Sequence, residues 1–177
     1  MEAAMSEPQC EILPDGSKEW RVNGVLHRED GPAIIRDSGN MFWYFNGELH
    51  REDGPAIMWA SGTQEWYRDG NHHREDGPAI TWTDGSQVWW RNGVVHREDG
   101  PAIVWFDGGQ EWRRNGQLHR DDGPAIIRAN GDHEWYRDGK RHRDDGPAVM
   151  MADGTEEYWE HDLRIIKNDQ ETPSAIM

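Results

Sequence analysis

Six histidines, His27, His50, His73, His96, His119 and His142, recur every 23 residues, each followed by Arg, an acid, Asp, Gly, Pro and Ala. Imidazole beside paired carboxylates is the raw material of metal ligation and of general acid–base catalysis. The spacing argues against both. Each β-repeat contributes at least two strands about 4.8 Å apart, so equivalent side chains stand roughly 10 Å from one another. The ligands of one zinc converge at about 2 Å from the ion. Catalysis, moreover, requires unlike groups at one place, whereas the array offers six copies of one constellation and no distinctive nucleophile. The expectation is no catalytic residue, no metal site and no cofactor. Instead His27 is expected to bond Asp30, and one acid of each pair to hold the neighbouring Arg while the other projects to solvent.

The elements that carry these side chains are marked by Trp and Gly. Trp20, Trp43, Trp66, Trp89, Trp112 and Trp135 each precede a repeat histidine by seven residues. Asn46-Gly47 and its equivalents, all Asn-Gly or Asp-Gly, have the signature of a two-residue type I′ hairpin turn. Ser61-Gly62 and its equivalents mark a second turn, and every Gly-Pro a third corner. Short runs rich in Trp, Tyr, Ile and Val separate them, too short for a stable helix. The reading is all-β, an elongated array of stacked antiparallel hairpins with six 23-residue repeats and a degenerate C-terminal cap. Its boundaries are a tail over 1–11, the array over 12–162, and a cap and tail over 163–177, where Leu163 opens a last strand or a short helix.

Two-residue turns fix a register. Across Asn23-Gly24, Trp20 falls opposite His27 and Glu19 opposite Arg28; Glu65 with Arg74 and Glu134 with Arg143 follow by the same arithmetic. Across Ser61-Gly62, Ile57 falls opposite Trp66, which puts Ile, Trp and His in one core row. A three-residue turn at either place would reverse the facing.

Composition limits function. Only 34% of the 177 residues are hydrophobic, but eleven Trp compensate, which suits a thin layer pinned by aromatics. A net charge of −15 with no polybasic cluster points away from nucleic acid and anionic membranes. With no apolar span or leader pattern, and Cys10 the lone cysteine, a cytoplasmic location is expected.

Positions that vary between repeats are the candidates for function. Trp59, Trp82 and Trp105 form a central row with Arg36 and Arg128 on either side, an arrangement suited to a planar or anionic ligand. Arg68, Arg91, Arg114 and Arg137 are expected on that same face. The competing reading makes the Trp row an apolar core stripe closed by Arg at each end. Tyr44, Tyr67, Trp90 and Tyr136 are expected to face the other way, as a protein-binding candidate.

The pattern of aromatic, Asn-Gly, two residues, His, Gly and Asp-Gly resembles the membrane occupation and recognition nexus (MORN) repeat over roughly residues 12–162. The chain departs from that family at His-Arg, where the family has His-Gly, and at its Asp-Gly-Pro-Ala corner. The resemblance implies β-hairpins stacked into an elongated twisted sheet that serves as a binding or scaffolding surface. The first expectation is therefore a non-enzymatic module for a protein partner. Sequestration of a small planar anion such as a nucleotide ranks second, and an acidic mimic of nucleic acid third. Exposed end strands also offer a route to homo-oligomers.

Overall fold

The protein, described over residues 7–166 in a computed structural model, has no helix among those residues. Its strands pair antiparallel into a 16-stranded sheet accompanied by five two-stranded hairpins. The all-β array of stacked hairpins is thus as the repeats dictate.

Both turns follow from their glycines, but they differ in length. Asn46 and Gly47 take φ of 50° and 86°, and Tyr44 pairs with Leu49 and Phe45 with Glu48, a two-residue type I′ turn as expected. At Ser61-Gly62 the Trp59 N–H donates to the Thr63 carbonyl at 3.0 Å, and Gly62 sits at φ 100°. Ala60, Ser61 and Gly62 make a three-residue loop, so Ile57 pairs with Glu65 rather than Trp66. This corrects the expected core row, because one added residue moves every following side chain to the opposite face.

Two rows cross the sheet as a result. On one face Ile34, Phe42, Ile57, Glu65, Ile80 and Val88 lie in register. On the other, Trp alternates with Ala: the Trp43 N–H bonds the Ala56 carbonyl at 2.8 Å, and the Trp66 N–H bonds that of Ala79 at 2.7 Å. Ala33, Ala56, Ala79, Ala102, Ala125 and Ala148 are completely buried in this row of large aromatic residues, where only a methyl is accommodated.

Each indole is covered by the Arg of its own repeat. The Arg74 guanidinium stands 4.1 Å above Trp66, donates through Nε to Asp76 at 2.8 Å and reaches the Pro78 carbonyl at 3.3 Å. The same arrangement recurs at Arg28, Arg51, Arg97, Arg120 and Arg143. The expected ion pairs Glu19–Arg28, Glu65–Arg74 and Glu134–Arg143 therefore do not form. Trp20 and His27 do face each other, with the His27 N–H on the Trp20 carbonyl at 3.1 Å. But the chain leaves that ladder at Arg28, whose N–H bonds Tyr44 of the next repeat at 3.1 Å.

The histidines join repeats. His27 Nδ1 accepts the Asn46 N–H at 3.1 Å, and His73, His96 and His119 do the same for Asn92, Asn115 and Asp138. An accepting Nδ1 places the ring proton on Nε2, which faces Glu29 at 3.6 Å. The expected His27–Asp30 bond is corrected, because Asp30 is already held by Arg28 at 2.8 Å.

The ends extend the array. Gln9–Ile12 pairs with Lys18–Val22, so the sheet begins inside the expected tail, and Cys10 stands opposite Trp20 in the position Ala takes elsewhere. At the other end His161 and Asp162 keep the two-residue turn without Asn-Gly, at φ 48° and 68°. Leu163–Ile165 is a strand paired with Glu156–Glu160; residues 167–177 of the expected cap and tail, and residues 1–6 of the N-terminal tail, lie outside the described residues.

Candidate functional site

The face bearing the Ile row carries carboxylates inside an apolar strip. Glu65 receives the Trp59 Nε1–H at 2.7 Å and the Tyr67 hydroxyl at 3.1 Å, and contacts His72 Nε2 at 2.9 Å. The His72 bond foremost holds the Glu65 carboxyl below its ordinary range, against an opposing effect of burial. Burial, then the adjacent Glu65 charge, raises the Tyr67 phenol. Glu134 is 4% exposed and binds Arg128 at 2.6 Å, Tyr136 at 3.0 Å and Arg141 at 3.1 Å. Burial opposes its ionisation, but the bonds from Arg128, Tyr136 and Arg141 outweigh that and hold its carboxyl low.

Through these carboxylates two aromatic rows become one surface. Trp59 reaches Glu65 from the turn side, and Tyr67 reaches it from the hairpin side. Trp82 and Trp105 lie nearly parallel with centroids 6.0 Å apart, while Trp59 meets Phe42 edge-on at 5.6 Å. Trp59 is 36% exposed, Trp105 40% and its neighbour Phe106 71%. His72 stacks between Tyr67 and Trp90, at 4.0 and 5.2 Å. Trp90 Nε1 is buried without a partner, because Val88 stands where Glu65 and Glu134 stand in their repeats. A recess of about 420 Å³ opens beside Trp105, Glu111 and Arg128.

The structure redistributes the expected site residues. Tyr44, Tyr67, Trp90 and Tyr136 share the face of Trp59, Trp82 and Trp105 instead of opposing it, because the three-residue turn reverses the facing. Arg68, Arg91, Arg114 and Arg137 fall on the opposite face for the same reason. There Arg68 pairs with Glu75 at 3.3 Å, Arg114 with Asp121 at 3.3 Å and Arg137 with Asp144 at 2.9 Å, while Arg91 lines a recess with Trp89 and Arg97. Arg36 and Arg128 stay beside the Trp row, each bound to a carboxylate, Glu19 at 3.1 Å and Glu134 at 2.6 Å. Sequence reasoning missed Glu65, Glu134, His72 and Phe106. The six-residue step from Trp59 to Glu65 and from Arg128 to Glu134 is the signal, and it is legible only once the turn is known to hold three residues.

Among the described residues no group of three His, Cys, Asp or Glu side chains is placed to hold a metal ion, and no helix is long and apolar enough to cross a membrane. No known family model matches the chain, and no characterised protein matches it in sequence.

Proposed function

We propose that this chain is a non-enzymatic binding module of MORN-like hairpin repeats, whose aromatic face docks a protein partner. The observation that carries this reading is the exposure of Trp59 and Trp105 on one face of a hydrogen-bonded sheet, with Trp59 joined through Glu65 to Tyr67 and exposed Phe106 next to Trp105 in the chain. Large, rigid aromatic side chains dominate interface hot spots, and a pre-formed sheet loses little entropy when it is covered. The stacked-hairpin architecture supports the family resemblance.

Two distances weigh against the nucleotide alternative. A planar ring inserted between two indoles needs about 7 Å, two van der Waals gaps, and the Trp82 and Trp105 centroids are 6.0 Å apart. Arg128, the guanidinium lining the recess beside Trp105, is already 2.6 Å from the Glu134 carboxylate. The acidic-mimic alternative is weakened because Asp30, Asp53, Asp76 and Asp99 each bind an Arg of their own corner.

Immobilised protein exposed to a native extract, followed by competition with soluble wild type or soluble Trp59→Ser/Trp105→Ser, tests the reading. Wild type should release the bound partner and the double variant, with unchanged circular dichroism, should not. Equal release by both ends the proposal, and a nucleotide found by native mass spectrometry would replace it.

A further inference from the structure

On the face opposite the aromatic strip, successive Arg-acid-Asp-Gly-Pro corners bound a series of recesses. Those lined by Trp89 and Trp112 contain Arg91 and Arg114, respectively, and four carboxylates against three guanidiniums each. The recess between the first two repeats differs. It holds about 880 Å³, with Trp43 and Phe45 as its floor, and five carboxylates face two guanidiniums.

The difference traces to one position. Phe45 occupies the register of Arg68, Arg91, Arg114 and Arg137. In the third, fifth and sixth repeats that Arg bonds the first acid of its own corner: Arg68 to Glu75, Arg114 to Asp121 and Arg137 to Asp144. The histidine Nε2 of each repeat lies within 3.6 Å of the same acid at Glu29, Glu75, Glu98, Asp121 and Asp144. His50 keeps the same Nδ1 contacts to the next turn, with the Asp69 N–H at 3.2 Å and its carboxylate at 2.9 Å, but its Nε2 forms no ion pair with Glu52, beside a Phe45 ring held 4.7 Å from His27 and 5.8 Å from His50. Glu52 is thereby left as the sole first-position acid, among the described residues, with neither an Arg nor a His partner.

We infer that this recess binds an arginine side chain of a basic partner segment, its guanidinium laid on Phe45 and paired with Glu52. The other repeats supply the template. At the equivalent place three of them already bind a guanidinium on the same corner carboxylate, whereas here Phe45 replaces the Arg and Glu52 lacks the His contact that Glu29 keeps beside Val22. An aromatic floor with an acidic wall suits a planar cation, which gains from the ring quadrupole and from a carboxylate bond together. The surplus of carboxylates, within a chain of net charge −15, attracts such a segment at long range. This site is independent of the aromatic strip, and its test does not involve that strip.

Calorimetric titration with an acetylated Arg-Gly-Arg-Gly-Arg-Gly peptide at about 50 mM salt distinguishes site binding from general attraction to an acidic protein. Phe45→Arg should weaken binding about tenfold or more, because the chain then fills its own recess as its third, fifth and sixth repeats do. Ala152→Arg adds the same charge at an exposed position elsewhere and should change affinity less than twofold. Glu52→Gln should weaken binding as Phe45→Arg does. The Phe45→Arg chain keeps a residue type native to this register, and its circular dichroism should match wild type. Equal affinity of the Phe45→Arg and Ala152→Arg chains, or an unmodified protein that binds an Arg-to-Lys version of the peptide as tightly, overturns the proposal.

Discussion

Gly77→Ala should destabilise the protein through Arg74 and not through the backbone. A Cβ at Gly77 would stand 2.9 Å from Arg74 Cζ and 3.1 Å from its Nε, and Gly77 is not among the positive-φ glycines. The guanidinium must therefore move off Trp66. What it loses sets the ceiling: a partly shielded cation–π contact of about 1–2 kcal/mol and a bond to the Pro78 carbonyl of about 1 kcal/mol. The Asp76 pair lies in solvent and adds little. Together these give about 2–3 kcal/mol. Urea denaturation followed by both tryptophan fluorescence and far-ultraviolet circular dichroism measures it, the two probes checking that the repeats unfold together. The decisive comparison is a double-mutant cycle. In an Arg74→Ala background, Gly77→Ala should cost less than about 0.5 kcal/mol. An equal cost with and without Arg74 would refute the idea that the Gly of each corner exists to let the Arg pass.

Ala79→Leu adds three carbons at a fully buried methyl in the Trp-Ala row and should lower stability by at least about 1–3 kcal/mol; an unchanged urea midpoint would mean that the indoles can move apart. Glu134 has a folded pKa held below its unfolded value, so its stabilisation is present above the ordinary carboxylate range and is lost as pH falls through the folded value. Glu134→Gln should therefore be less stable than wild type at pH 7, with the gap in melting temperature narrowing towards pH 3. A gap that stays constant with pH would show that the charge is not what the site uses.

Much of the fold is legible because the repeat reports local geometry. Asn46-Gly47 needs two positive φ values, and only a two-residue type I′ turn provides them, so the Trp20–His27 facing could be read directly. The site was not legible to the same depth. Whether Trp59 shares a face with Tyr67 or with Arg68 depends on one residue in the second turn, and Ser-Gly is compatible with loops of two or three residues. The partners of Glu19, Arg28 and His27 follow a different logic, since Glu19 is held by Arg21 of its own strand and by Arg36, Arg28 by Asp30 two residues on and His27 by Asn46 of the next repeat, none of them the residue opposite across the first hairpin.

The sequence by itself determined the 23-residue period, the strands and the two-residue hairpins, because these follow from steric demands within a few consecutive residues. Only the tertiary structure decided which rows share a face and which acid keeps which cation. Side-chain direction alternates with each residue along a strand, so a single-residue difference in a distant turn gathers Trp59, Glu65 and Tyr67 on one side. It leaves Phe45 and Glu52 together on the other.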